Sequence, residues 1–342
     1  MNKASLPWPT ATPADFGWDQ RALDGGLVDL LGANQTHSAA LVIGGKLVWE
    51  HYWGSYGPTS RFNTFSVAKC FASACIGLLI DDGKLKVDDP ACKYLPEWSG
   101  PTDGRREITI RHLLTMTSGL KLDYEGFWKQ PDGTAAALNW PLAHKPGTIC
   151  CYEQATAMAL SPIIKRVSGK QPLAFIKERI LDPIGAHEIG WEATPNGDSL
   201  TWRSVLASSR DFCRFGQFLL QKGKWEGKQL LSAEFIAQAT SHDPLLDTVP
   251  SCPQEKPFRR KNWAWMFFVN SDNVWPGVAA DSFAMSGAYG NKCLISREHN
   301  FVFSRLVTPE GAAYYKPYDN GLGSTDTGTP KIWNALLKDF RK

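Results

Sequence analysis

The chain has 342 residues, 43% of them hydrophobic and 21% charged, with 37 Lys and Arg against 34 Asp and Glu. That is enough apolar material for one large domain or two interlocked ones, and too much for a disordered chain. A formal charge of +3 and short, isolated basic clusters such as Arg259-Arg260-Lys261 speak against nucleic acid as a partner, and no apolar run approaches the length of a membrane span.

The N-terminal segment Met1–Pro9 lacks the apolar middle of a signal peptide, so a cytoplasmic protein is expected, although a secreted chain trimmed of its signal would read the same. Residues 39–52 form two strand-like runs around Gly44-Gly45, which predicts a β-hairpin. From Ser66 to about Ile80 the chain is apolar on nearly all sides until Asp81-Asp82-Gly83, the pattern of a helix buried at the centre of the molecule. Helical periodicity dominates residues 96–254, with helices expected at Thr109–Thr117, Tyr152–Val167, Pro172–Leu181 and Asp211–Lys222, the last capped by Ser208. Strands return at Trp263–Asn270, Lys292–Ser296 and Asn300–Val307, and a terminal helix follows at Lys331–Arg341. Strands at both ends predict an α/β (α+β) domain built from residues 1–95 and 255–342, holding a mainly helical insertion at 96–254, with the active site between them.

Eight cysteines show no Cys-x-x-Cys spacing and the seven histidines no ligand spacing, so free thiols are expected and neither a metal nor a cofactor. There is no Gly-x-Gly-x-x-Gly, Walker loop, His-Glu-x-x-His or Gly-x-Ser-x-Gly. What remains is Ser-x-x-Lys, found as Ser66-Val67-Ala68-Lys69 and as Ser118-Gly119-Leu120-Lys121. The second reads as a helix end and loop. The first opens the buried helix, which puts Ser66 where backbone N–H groups are free and Lys69 one turn on along the same face. Desolvation there disfavours an ammonium, and a lysine freed of its proton can activate a neighbouring hydroxyl. Capping by Ser66 and snorkelling by Lys69 is the bland alternative.

Further segments accompany that motif in order: Ile108-Thr109-Ile110-Arg111-His112-Leu113-Leu114-Thr115-Met116-Thr117-Ser118-Gly119-Leu120, then Lys145-Pro146-Gly147 with Tyr152-Glu153-Gln154, then Ser204–Leu220, then Met285-Ser286-Gly287-Ala288-Tyr289-Gly290-Asn291. Together they resemble the penicillin-recognising serine hydrolases of the class C β-lactamase type, nearest the esterase and 6-aminohexanoate-dimer (nylon-oligomer) hydrolase branch. The resemblance runs from about residue 15 to the C-terminus. It implies a β-lactamase-like fold, an antiparallel sheet flanked by helices plus an inserted all-helical domain.

It also implies that Ser66 is the acylated nucleophile, Lys69 the general base and Tyr152 the phenol that shuttles protons, with the N–H groups of Ser66 and Ala288 as oxyanion hole. Gln154, Ser286, Gly287 and Tyr289 would touch substrate, and Trp128 and Trp265 would border the cleft. Two departures stand out. Gln154 replaces an asparagine, and Met285-Ser286 replaces the Lys-Thr pair that binds a substrate carboxylate in β-lactamases. The expected function is a metal-independent serine hydrolase of small esters or amides, monomer or homodimer. A β-lactamase or D-amino-acid peptidase is the nearest alternative, disfavoured by Met285, and a catalytically silent binding protein is the other.

Overall fold

The computed structural model describes residues 5–100, 102–254, 261–308 and 328–338. Its main sheet opens with β1 (Ser38–Ile43) and β2 (Lys46–Tyr52), joined through Gly44 and Gly45 at φ +56° and +78°. Both values suit the tight hairpin turn that glycine allows. A short strand β3 (Phe62–Asn63) leads into a single 3-10 turn at Phe65–Val67 and then α1 (Ala68–Asp81). Every residue of α1 from Ala68 to Leu79 is buried, as its all-round apolar sequence predicts, because helices pack on it from several sides.

The helical middle contains α2 (Ile110–Leu114), capped by Thr109, and α3 (Tyr124–Trp128). The single helix expected over Tyr152–Val167 is two, α4 (Gln154–Met158) and α5 (Leu160–Ser168). Pro162 explains the break, since it offers no N–H to the carbonyl of Met158. The Thr201 hydroxyl reaches the carbonyls of Ala157 and Met158 at 2.8 and 3.4 Å instead. Next come α6 (Pro172–Ile176), prolonged as a wider turn to Leu181, then β4 (Gly190–Trp191), β5 (Val205–Ala207) and α7 (Ser209–Leu220). Ser208 caps α7 as expected, accepting the Asp211 N–H at 3.1 Å.

The main sheet is completed by β6 (Phe268–Val269), β7 (Phe283–Gly287), β8 (Asn291–Ser296) and β9 (Phe301–Leu306), and α8 (Gly328–Leu337) follows. It is antiparallel, six-stranded, in the order β2-β1-β9-β8-β7-β6. The first strand therefore pairs directly with the last, and all six lie outside residues 96–254. A second, three-stranded sheet, β3-β5-β4, links the segment before α1 to residues 190–207.

Two expectations need correction. The strand over Trp263–Asn270 shrinks to Phe268–Val269, because Ala264 N–H turns back to the Phe267 carbonyl and Met266 adopts φ +68°. The helical segment 96–254 is also less separate than its composition suggests. Its helix α7 lies on the main sheet, where the Cys213 thiol reaches the Ala40 carbonyl at 3.6 Å. Arg259 and Arg260 lie outside the described residues.

Candidate active site

Phe65, the residue before the candidate nucleophile, has φ +51°, an uncommon value for a side chain of its size. Two bonds hold it there: its N–H donates to Asn63 Oδ1 at 2.8 Å, and its carbonyl accepts the Ser204 N–H at 3.1 Å. The turn leaves Ser66 half-buried at the opening of α1, one residue before Val67, whose N–H donates to the Thr64 carbonyl at 3.3 Å.

Lys69 is fully buried one turn on. Its Nζ lies 3.0 Å from Gln154 Oε1, 2.7 Å from the Trp202 carbonyl and 3.3 Å from Ser66 Oγ. The first two partners are pure acceptors, and each takes one N–H. The Ser66 hydroxyl is a third group within reach of the same nitrogen. The same nitrogen stands 4.7 Å from the centre of the Tyr152 ring, which Trp263 meets edge-on at 5.4 Å. The three residues expected to work together are thus within one small volume.

From the other side comes β7. A methyl group on Gly287 would sit 1.9 Å from the Thr64 carbonyl oxygen and 3.3 Å from Ser66 N. The strand therefore runs backbone against backbone along the Phe65–Val67 turn, a closeness that only glycine permits. It delivers the next amide, that of Ala288, to the neighbourhood of the Ser66 amide. Tyr289 follows at φ +63°, its ring 5.1 Å from that of Phe65.

Three neighbours of the site were not visible as such in the sequence. Lys292, fully buried on β8, pairs in register with Ser286 and brings its Nζ within 3.4 Å of Ser286 Oγ. A lysine side chain thus stands beside this strand although position 285 is methionine. Arg305, in register with Lys292 on the other side, donates to the carbonyls of Tyr289 and Gly290 at 3.1 and 2.8 Å and so fixes the turn after Ala288. Glu153 caps α4, accepting the Thr156 N–H at 2.9 Å, while its Oε1 is sealed without a hydrogen-bond partner. Burial pushes its carboxyl up to about 7, against the backbone N–H groups and Lys69, which pull it down.

The remaining candidates divide. Gln154 spends its carbonyl on Lys69. Met285 is fully buried in the core. Trp128 is half-buried, with its ring 5.0 Å from that of Trp202. Trp265 is placed elsewhere: it belongs to the core, its indole N–H donating to Asp243 at 2.6 Å and its ring 5.7 Å from Phe235. Trp263 is the tryptophan that touches Tyr152, and sequence alone offers no signal to separate two tryptophans two residues apart. All eight cysteines are free, and seven are buried. Among the described residues no cluster of His, Cys, Asp or Glu could hold a metal ion, and no helix is long and apolar enough to cross a membrane.

Known proteins resemble this chain in sequence and in fold. An uncharacterised protein of Alkalihalophilus pseudofirmus is 25% identical over 327 residues, covering 84% of this chain and 88% of its own. Among solved structures, a Bacillus anthracis protein described as a 6-aminohexanoate-dimer hydrolase superposes with a TM-score of 0.75 at 18% identity, over 99% of this chain and 88% of its own. A family VIII carboxylesterase does so with a TM-score of 0.71 at 18% identity, over 98% and 100%. The fold is therefore β-lactamase-like, as the sequence motifs imply. The Beta-lactamase family model matches residues 27–322, and with that span, which takes in the Ser66 turn, Tyr152 and the β7 strand, the chain belongs to the Beta-lactamase family.

Proposed function

We propose that the protein is a serine hydrolase that cleaves small esters or amides through an acyl-enzyme on Ser66. The observation that carries this reading is the hydrogen-bond geometry of Lys69, with two carbonyl acceptors and Ser66 Oγ around one buried nitrogen. Ser66 Oγ attacks the substrate carbonyl carbon while its proton passes to Lys69. The negative charge on the carbonyl oxygen is met by the N–H groups of Ser66 and Ala288. As the tetrahedral adduct collapses, the leaving group takes a proton by way of Tyr152, and water then hydrolyses the acyl-enzyme by the same route in reverse. The carboxylesterase and 6-aminohexanoate-dimer hydrolase among the structural neighbours support this choice of bond.

A second reading, β-lactamase or D-amino-acid peptidase, draws on Lys292, whose ammonium supplies a cation next to Ser286. One experiment separates the two. A fluorophosphonate probe is expected to label Ser66 alone, and a panel of p-nitrophenyl esters, a linear amide and a chromogenic cephalosporin to show faster turnover of the esters. Labelling at Ser118 or a cysteine with Ser66 untouched would refute the assignment, and a preference for the cephalosporin would favour the second reading.

A further inference from the structure

The segment Trp202–Ser204 is tied to the catalytic turn at both ends. The Trp202 carbonyl accepts from Lys69 Nζ at 2.7 Å, and the Ser204 N–H donates to the Phe65 carbonyl at 3.1 Å. Between them stands Arg203. Its guanidinium carbon lies 4.4 Å from the centre of the Trp128 ring and 4.9 Å from that of Trp202. Two aromatic faces thus hold it in place on the apolar side, as cation–π pairing favours. Its Nε is sealed from solvent and makes no hydrogen bond. Among the described residues the guanidinium makes no ion pair and no hydrogen bond, although the side chain is half-buried.

That combination is unusual in this chain. Arg111, Arg166, Arg179 and Arg210 each pair with a carboxylate. Arg105 does so with Asp103, and the buried Arg305 is surrounded by carbonyls. Arg203 is fixed, partly desolvated and without a counter-charge, one residue from the carbonyl that orients the general base. A planar fork of N–H donors held in this way matches a carboxylate in both charge and shape.

We propose that Arg203 is a specificity residue that binds a free carboxylate carried by the substrate, so that the preferred esters or amides are acidic ones. The inference rests on the reading of this cleft as a Ser66 hydrolase and adds the substrate class to it. Trp128 and Trp202 then serve as the rigid platform that keeps the guanidinium aimed, and they limit the side-chain entropy lost on binding.

Two substrate pairs test it and show which side of the scissile bond carries the acid. In the first, p-nitrophenyl hydrogen glutarate is compared with p-nitrophenyl pentanoate, so the carboxylate is on the acyl side. In the second, 4-acetoxybenzoate is compared with its methyl ester, so the carboxylate is on the leaving group. The quantity read is the ratio of kcat/KM for the acidic to the neutral member, in the unmodified protein and in Arg203→Met and Arg203→Lys, with each preparation normalised to Ser66 sites titrated by fluorophosphonate. In one of the pairs the ratio is expected to fall about tenfold or more in Arg203→Met, mainly through KM, and to be partly kept in Arg203→Lys. Added salt should erode the same ratio in the unmodified protein. If Arg203→Met yields no titratable sites, Arg203→Lys and the salt response decide. Ratios in both pairs that ignore the substitution and the salt would overturn the proposal while leaving the hydrolase reading intact. Failure of the unmodified protein to turn over any of the four esters through Ser66 would defeat that reading, and the proposal with it.

Discussion

Replacing Glu153 by Gln gives the most quantitative check on the electrostatics of the site. Gln keeps the side-chain carbonyl that caps α4 and removes the ionisable group. In the folded protein this carboxyl holds its proton up to about pH 7, whereas its ordinary value is 4.5. Between those two limits the native state binds more protons than the unfolded chain, so raising the pH through this window favours unfolding. At pH 8 the buried carboxylate costs the fold about 3 kcal/mol, and below pH 4.5 it costs nothing. For a chain of 342 residues the unfolding entropy makes that worth about 4 °C in Tm. Thermal unfolding of both proteins from pH 5 to pH 8 should therefore show the variant gaining about 4 °C on the unmodified protein as the pH rises. A gap that stays constant across that range would refute the reasoning, because it would mean that Glu153 titrates alike in both states.

The division of labour between Lys69 and Tyr152 is testable by comparing leaving groups. Lys69→Met should nearly abolish acylation by every substrate, while Tyr152→Phe should lower kcat/KM for an amide about tenfold more than for a p-nitrophenyl ester, since p-nitrophenolate departs without a proton. Equal penalties on both would make Tyr152 a partner in deprotonating Ser66 instead. Gly287→Ala should push β7 off the Phe65–Val67 turn, because the new methyl meets the Thr64 carbonyl. Fluorophosphonate labelling of Ser66 in that variant should slow by roughly a hundredfold, the scale of losing one oxyanion donor, and an unchanged rate would show that the close approach is not needed.

What the sequence revealed and what it hid follow a physical division. Ser66 and Lys69 are three residues apart, so their relation is set by helix geometry and can be read locally. The β1–β2 hairpin and the Ser208 cap are local in the same sense, and both are found as expected. Lys292 meets Ser286 only through the register of β7 on β8, which no spacing rule predicts. Glu153 looks like an ordinary helix cap until its surroundings are known to be dry. Apolar periodicity runs through Pro162 and so hides the break between α4 and α5, and the cost of that proline is met by Thr201, some forty residues away. The placing of α7 against the main sheet is likewise long-range. Of two nearby tryptophans, tertiary packing rather than composition decides that Trp263 touches Tyr152.

The contact between Gly287 and the Thr64–Ser66 turn also bears on when during its synthesis the protein can become active. The two amides expected to hold the oxyanion belong to residues 66 and 288, and β1 and β2 have no sheet to join until β9, ending at Leu306, has emerged. A ribosome-bound chain stopped before that point already contains Ser66, Lys69 and Tyr152 but cannot assemble them against β7. Such a topology folds late and through non-local pairing, with the hairpin edge of β1 uncovered in the meantime. On the proposed mechanism, a product truncated before Leu306 would carry Ser66 without the strand expected to complete its oxyanion hole, so reactivity toward a serine-directed probe would report assembly of the sheet as well as catalytic competence.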